Sequence, residues 1–283
     1  MSTTIYRSAS GRHAVERRYR ELLQDWTVPL HHRVIPTREG ETFVLACGPE
    51  DAPPVVLLHG AGSNSAIWRD EAPRWSSTRR LYMVDIIGEP GLSAASRPSL
   101  ESDAYARWLD DVLDELGVAS AAFVGVSLGG WLATDFAIRR PNRVERLALR
   151  APGGIGRQRH AAVLAALILM PFGDRGRSLA LRVVLGPGTV PDPVMEYMLV
   201  IHRNYRPRHD TLPVFTDDDL KAVTAPLFVA LGAGDRMLDS HDTAARLTRL
   251  QPSATIMLLD RAGHGSFDDG KALHAFLNRQ ATP

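Results

Sequence analysis

The residues able to do chemistry are concentrated in three short segments. Phe123-Val124-Gly125-Val126-Ser127-Leu128-Gly129-Gly130 sets a Gly-x-Ser-x-Gly core between an apolar run and the start of a helix-like one. A serine at the apex of a sharp strand-to-helix turn sits in strained backbone geometry and needs small neighbours, here Gly125 and Gly129. The N–H of Leu128 then falls at a helix N-terminus, where unpaired donors and the helix dipole favour a developing oxyanion. Such a pentapeptide can also mark nothing more than a tight turn, and a serine hydroxyl is inert without a base and a group that orients the base. Both partners occur downstream. Leu231-Gly232-Ala233-Gly234-Asp235 places a carboxylate just beyond one strand end, and Arg261-Ala262-Gly263-His264-Gly265 places a histidine just beyond the next.

Asp235 can instead cap a helix or pair with Arg236, with Asp239 as the reserve acid. Of the 10 histidines, His264 alone sits in a glycine-flanked loop at the end of the last strand, whereas His31, His32, His202 and His241 read as surface or cap residues. No two histidines have the spacing of a metal-binding helix, so no metal is expected. The loop His59-Gly60-Ala61-Gly62 should supply the second oxyanion donor, the N–H of Ala61, with Gly60 and Gly62 lining the substrate and His59 bracing the loop.

These segments need a scaffold, and the chain spells one out. Val15, Tyr19, Leu22, Leu23 and Trp26 put an apolar stripe on an arginine-rich N-terminal helix expected to pack on the body. Two β-like segments follow, His32–Pro36 and Glu41–Cys47, as an antiparallel start. The continuous apolar run Pro53–Leu58 reads as a strand buried on both faces, and Leu81–Ile87, Ala121–Val126, Val144–Leu149, Pro226–Leu231 and Ala254–Leu259 read as further strands. Helical stretches alternate with them at Ala66–Trp75, Leu100–Leu116, Gly130–Arg140 and Phe267–Asn278. That rhythm predicts an α/β, doubly wound, mostly parallel eight-stranded sheet whose ligand site lies at the carboxyl ends of the strands.

Between Pro152 and His209 the rhythm breaks into helices alone: Ala161–Met170, Arg177–Leu185 and Pro193–Tyr205. The expected organisation is therefore core 1–152, helical cap 153–210, core 211–283. Ala161–Met170 is apolar nearly all round, and buried packing in the cap is preferred over a membrane contact for so short a run. Met195, Tyr197, Met198 and Tyr205 from the cap, with Trp68 and Trp131, are candidates for an apolar substrate-binding roof, packing being the competing role of each. Asp217-Asp218-Asp219 reads as an exposed helix start.

Composition narrows the partners. With 33 Lys and Arg against 32 Asp and Glu, the net charge of +1 gives no electrostatic case for nucleic acid or an anionic membrane, and a small neutral molecule fits better. The single cysteine, Cys47, excludes an internal disulfide framework and is expected to be a buried packing residue. Met1 to Arg7 has no apolar leader-like region, so a cytoplasmic protein, monomer or homodimer, is expected.

Taken together, these motifs resemble the α/β-hydrolase superfamily, in which Ser, Asp and His follow one another in this order. The resemblance runs from about Thr27 onward and is carried by His59–Gly62, Val84–Ser93, Gly125–Gly130, Gly232–Asp235 and Gly263-His264. Trp68, Trp75-Ser76-Ser77, Val84–Gly88 and Val214–Asp217 are most similar to bacterial carboxylesterases of the naproxen-esterase type. The resemblance implies two-step acyl transfer through an acyl-serine, an ester or acyl substrate, and no cofactor. Hydrolysis of thioesters, lactones or carbon–carbon bonds, a biosynthetic cyclase, lyase or acyl-transfer step, and a non-catalytic receptor are the alternatives. Two features depart from the family: His264 is followed by Gly265-Ser266-Phe267-Asp268-Asp269-Gly270 without proline, and Arg150 ends a strand where relatives carry an apolar residue. Arg150 is expected to form a salt bridge or, alternatively, to anchor a substrate carboxylate.

Overall fold

The computed structural model describes residues 5–159, 161–187, 192–208, 210–265 and 267–279. Met1–Thr4 of the N-terminal reading and Ser266 of the histidine loop lie outside them. Eight strands form one sheet: β1 (His31–Thr37), β2 (Gly40–Cys47), β3 (Pro54–Leu58), β4 (Arg80–Val84), β5 (Ala121–Val126), β6 (Val144–Arg150), β7 (Leu227–Gly232) and β8 (Thr255–Leu259). Their order is β1-β2-β4-β3-β5-β6-β7-β8. The β1–β2 and β2–β4 pairs are antiparallel and every later pair is parallel.

The apolar runs are strands because both of their faces are covered. Val56 and Leu58 of β3 join one core layer, and Val55 and Leu57 join the other, as a period of two requires. The first layer lies under α3 (Ala104–Glu115) and α4 (Leu128–Arg139), with Trp108, Leu109, Phe136 and Ala137. The second lies under α1 (Ala9–Gln24), α2 (Ala72–Trp75) and, at the C-terminal end, α10 (Gly270–Asn278), with Tyr19, Trp75 and Phe276. Cys47 is buried there, and burial pushes its thiol up to about 11, which suits a packing residue.

Between β6 and β7 run α5 (Ala161–Leu169), α6 (Gly173–Leu185), α7 (Asp192–Asn204) and a short α8 (Asp217–Lys221). The acid cluster at 217–219 does begin a helix, capped reciprocally by Thr216 and Asp219. The N-terminal helix packs on this insertion as well as on the body: Tyr19 of α1 stacks on Tyr197 of α7, and Tyr6 pairs with Tyr205. A further helix, α9 (Ser240–Leu250), has no counterpart in the sequence reading; Asp239 caps it by accepting from the Asp242 N–H.

One packing expectation fails. Of α5, only Ala162 and Ala166 are buried, while Leu164, Leu167 and Ile168 are 59%, 57% and 70% exposed. The reason is local. The hairpin closes tightly at its turn, where a methyl group on Gly176 of α6 would collide with the carbonyl of Leu169, the last residue of α5, and the side of α5 that is covered carries only alanines.

Candidate active site

Ser127 occupies the turn from β5 into α4 with φ 51° and ψ −109°, a left-handed backbone that costs a non-glycine residue on the order of 1–3 kcal/mol. The surroundings impose it. A Cβ on Gly125 would strike the Gly129 carbonyl, and one on Gly129 would strike the carbonyls of Leu58 and His59, so both positions must stay bare. The Ser127 N–H donates to the Arg150 carbonyl at 3.0 Å, which fastens the turn to the end of β6.

His264, on the loop after β8, lies with Nε2 3.0 Å from Ser127 Oγ and Nδ1 2.7 Å from Asp235 Oδ2. Asp235 is buried, and its other oxygen accepts the N–H groups of Met237 at 2.7 Å and Leu238 at 3.0 Å. A carboxylate only accepts, so Nδ1 of His264 carries the proton and Nε2 is left to accept from the serine hydroxyl. The reserve acid plays another part: Asp239 caps α9 and pairs with Arg159 at 3.0 Å. Chemically, the arrangement can take a proton from Ser127 and return it to a leaving group.

Opposite the histidine, Leu128 is the first residue of α4, and Ala61 lies in the loop after β3. Among the described residues nothing accepts from either N–H. Gly62 differs: its N–H, at φ +67°, donates to Glu89 Oε2 at 2.7 Å, so it shapes the loop and is not a free donor. Gly60 faces Ser127, where an added Cβ would lie 3.6 Å from the serine Cβ.

The 59–65 loop is held by His59 and by further buried polar groups that the sequence does not announce. His59 accepts the Ile86 N–H through Nε2 at 2.9 Å, so its proton sits on Nδ1 and is donated to the Gly60 carbonyl at 2.8 Å. Burial lowers its pKa and keeps it neutral, in the bracing role expected for it. Asn64 donates to the Pro90 carbonyl at 2.8 Å and to the Tyr197 hydroxyl at 2.5 Å. Asp85 accepts from the Ser65 N–H and the Tyr19 hydroxyl, each at 3.0 Å. Glu89 Oε2 also accepts from the Tyr205 hydroxyl at 2.8 Å, and Arg97 donates to that hydroxyl at 2.7 Å. Burial raises the Glu89 pKa, against the opposing pull of Gly62, Tyr205, Arg208 and Arg97. The only sequence signal for this layer was the Asp85–Ser93 segment itself.

Several expected substrate contacts are corrected. Trp131 is 2% exposed, stacks on Phe215 and donates its indole N–H to the Pro213 carbonyl. Trp68 is buried against Trp75. Both rings fill core space one turn or one loop away from the serine and are packing residues. Met195 is buried and Met198 half-buried, while Tyr197 and Tyr205 turn their hydroxyls to the 59–65 loop and its Glu89 brace. Arg150 takes the salt-bridge role. Its guanidinium forks onto Asp269 at 2.7 and 3.0 Å and reaches Glu71 at 2.6 Å, so it is no carboxylate anchor. Burial opposes its charge, but Glu71 and Asp269 outweigh burial and raise its pKa. Arg150→Lys, which keeps the charge and loses the fork, should lower unfolding stability by about 1.5–3 kcal/mol in denaturant titrations. Among the described residues no group of three His, Cys, Asp or Glu side chains is arranged to hold a metal ion, and no helix is long and apolar enough to cross a membrane.

Comparison with known proteins identifies the family. The chain is 34% identical over 266 residues to "Uncharacterized carboxylesterase nap" of Bacillus subtilis, covering 87% of this chain and 84% of that protein. It is 31% identical to carboxylesterase YbfK of the same organism, covering 87% and 86%. The crystal structure of naproxen esterase (carboxylesterase NP) from Bacillus subtilis superposes with a TM-score of 0.78 at 29% identity, covering 95% of this chain and 96% of that one. The closer resemblance to naproxen-esterase-type carboxylesterases therefore holds, and the chain is a hydrolase. The alpha/beta hydrolase family model matches residues 55–276, a span that contains the sheet from β3 onward, the serine turn and the histidine loop. The chain belongs to the alpha/beta hydrolase family.

Proposed function

We propose that the protein is a serine carboxylesterase that cleaves a small, largely apolar ester through an acyl-serine intermediate. Ser127 Oγ attacks the ester carbonyl as His264 Nε2 takes its proton, and the Leu128 and Ala61 N–H groups bind the tetrahedral oxyanion. His264 gives that proton to the departing alkoxide, which leaves as alcohol. Water, deprotonated by the same histidine, then attacks the acyl-serine and releases the acid. Asp235 holds the imidazole in the required tautomer throughout. Helices α5–α7 act as the cap over this site. The observation that carries the reading is one continuous relay, Asp235 to His264 to Ser127, ending on a serine at φ 51°. Net hydrolysis of a neutral ester is preferred to carbon–carbon cleavage of a dicarboxylate because the one cation expected at the rim, Arg150, is consumed by Asp269 and Glu71.

A fluorophosphonate probe tests the nucleophile. The wild type should carry the adduct on Ser127, located by mass spectrometry, and Ser127→Ala should carry none. Hydrolysis of a panel of short acyl esters, with the acid and alcohol quantified as products, should follow the same pattern. An unlabelled but folded wild type would overturn the reading, and a product other than acid plus alcohol would transfer the site to the lyase or transferase class.

A further inference from the structure

We infer that the outer face of the α5–α6 hairpin docks on an anionic lipid surface. The observation is an inverted helix pair. In a water-facing hairpin large apolar residues turn inward and small or polar ones outward, whereas here the buried residues of the pair are Ala162, Ala166, Gly176 and Ala180, with Leu181 the one large apolar side chain among them. Leu164, Leu167 and Ile168 project from α5, Leu179 projects from α6 at 50% exposure, and Phe172 stands 72% exposed in the turn between them. Small residues at the helix seam and bulky ones outside are the arrangement suited to a surrounding apolar phase. At nine residues α5 extends only about 14 Å, half the hydrocarbon thickness, so the hairpin lies on the surface and does not span it.

Charge selects the partner. Arg175 and Arg182 flank Leu179 four residues before and three after it, placing two exposed guanidiniums beside the apolar ridge. On the hairpin itself, residues 161–187 hold three arginines, Arg175, Arg177 and Arg182, against one acid, Asp174, a net +2. Asp174 is engaged by Arg177 and Arg203, which leaves Arg175 and Arg182 facing solvent to complement anionic headgroups. A second copy fits less well, because a two-fold contact places each face against its own like-charged equivalent.

Flotation with vesicles tests the inference without reading catalysis, so its outcome is independent of the proposed ester chemistry. Wild type and Ser127→Ala should float alike with vesicles of equimolar phosphatidylcholine and phosphatidylglycerol at low salt, and bind phosphatidylcholine alone more weakly. Ile168→Ser with Phe172→Ser should weaken binding to the mixed vesicles by at least about tenfold per residue. Arg175→Gln with Arg182→Gln should weaken it by roughly fivefold per charge and flatten the salt dependence. Thermal melting verifies that each variant is folded. The inference is overturned if the folded wild type stays with the unbound fraction. It is overturned equally if Ile168→Ser with Phe172→Ser floats unchanged, or if sedimentation equilibrium finds a dimer that those substitutions dissociate while vesicles bind neither protein.

Discussion

Asp235→Asn is expected to lower kcat for ester hydrolysis about 10⁴-fold while leaving the protein folded. The size of the effect follows from two hydrogen bonds behind the carboxylate. Oδ1 of Asp235 accepts from the N–H groups of Met237 and Leu238. In the variant those donors hold the amide oxygen, so the amide NH₂ turns to His264 Nδ1. The imidazole must then accept at Nδ1 and carry its proton on Nε2, where it faces Ser127 Oγ and has no lone pair to offer. A loss of this kind resides in kcat, and fluorophosphonate labelling of Ser127 should slow in parallel. Asp239→Asn is the control. That residue caps α9 and does not touch His264, so it should leave kcat unchanged and alter stability by no more than a few tenths of a kcal/mol, asparagine being an equally good cap.

The relay was legible in the sequence because each member is announced by its own neighbours. Gly125 and Gly129 are compulsory where carbonyls crowd the serine turn, and Gly232 and Gly263 flank the acid and histidine loops for the same steric reason, each packed against carbonyls of the other loop or the insertion. Strands β3, β5 and β7 were legible because burial on both faces demands uninterrupted apolar runs. What escaped is held by distant partners. Gly62 meets Glu89 across 27 residues, and Asn64 meets Tyr197 across 133, and no local pattern encodes either pairing. Arg150 stood out as a charge in an apolar position, yet its role depended on Asp269, 119 residues away. For Trp68 and Trp131 the sequence leaves pocket and packing both open, because tryptophan serves recognition and packing equally well, and only burial separates the two uses. In α5 the helix was legible but its orientation was not: an all-apolar run does not say which side faces a neighbour, and Ala162 and Ala166 are the residues that are buried.

The buried brace of the 59–65 loop, the proposed oxyanion loop, yields the second large expectation. Glu89→Ala should reduce kcat about 10²–10³-fold with little change in KM, the signature of losing donors that act on the transition state. One carboxylate oxygen collects the Gly62 N–H and the Tyr205 hydroxyl, and through Tyr205 it ties the 59–65 loop to the end of α7. Without it the Gly62 N–H is stranded in the interior, the Tyr205 hydroxyl is left with only the Gly88 carbonyl at 3.3 Å, and the loop that presents Ala61 is free to rotate its peptide planes. Glu89→Gln separates shape from charge, because an amide oxygen can accept both bonds and should recover most of kcat. The same pair of proteins reports the cost of the buried charge. Since burial raises the Glu89 pKa, the folded state holds more protons than the unfolded one between the ordinary glutamate range and the raised value. Stability contributed by this group therefore falls as pH climbs through that window. Denaturant midpoints of wild type relative to Glu89→Gln should decline across it, and a difference that stays flat or rises with pH would show that Glu89 is not the buried, charge-penalised acceptor on which the loop is built.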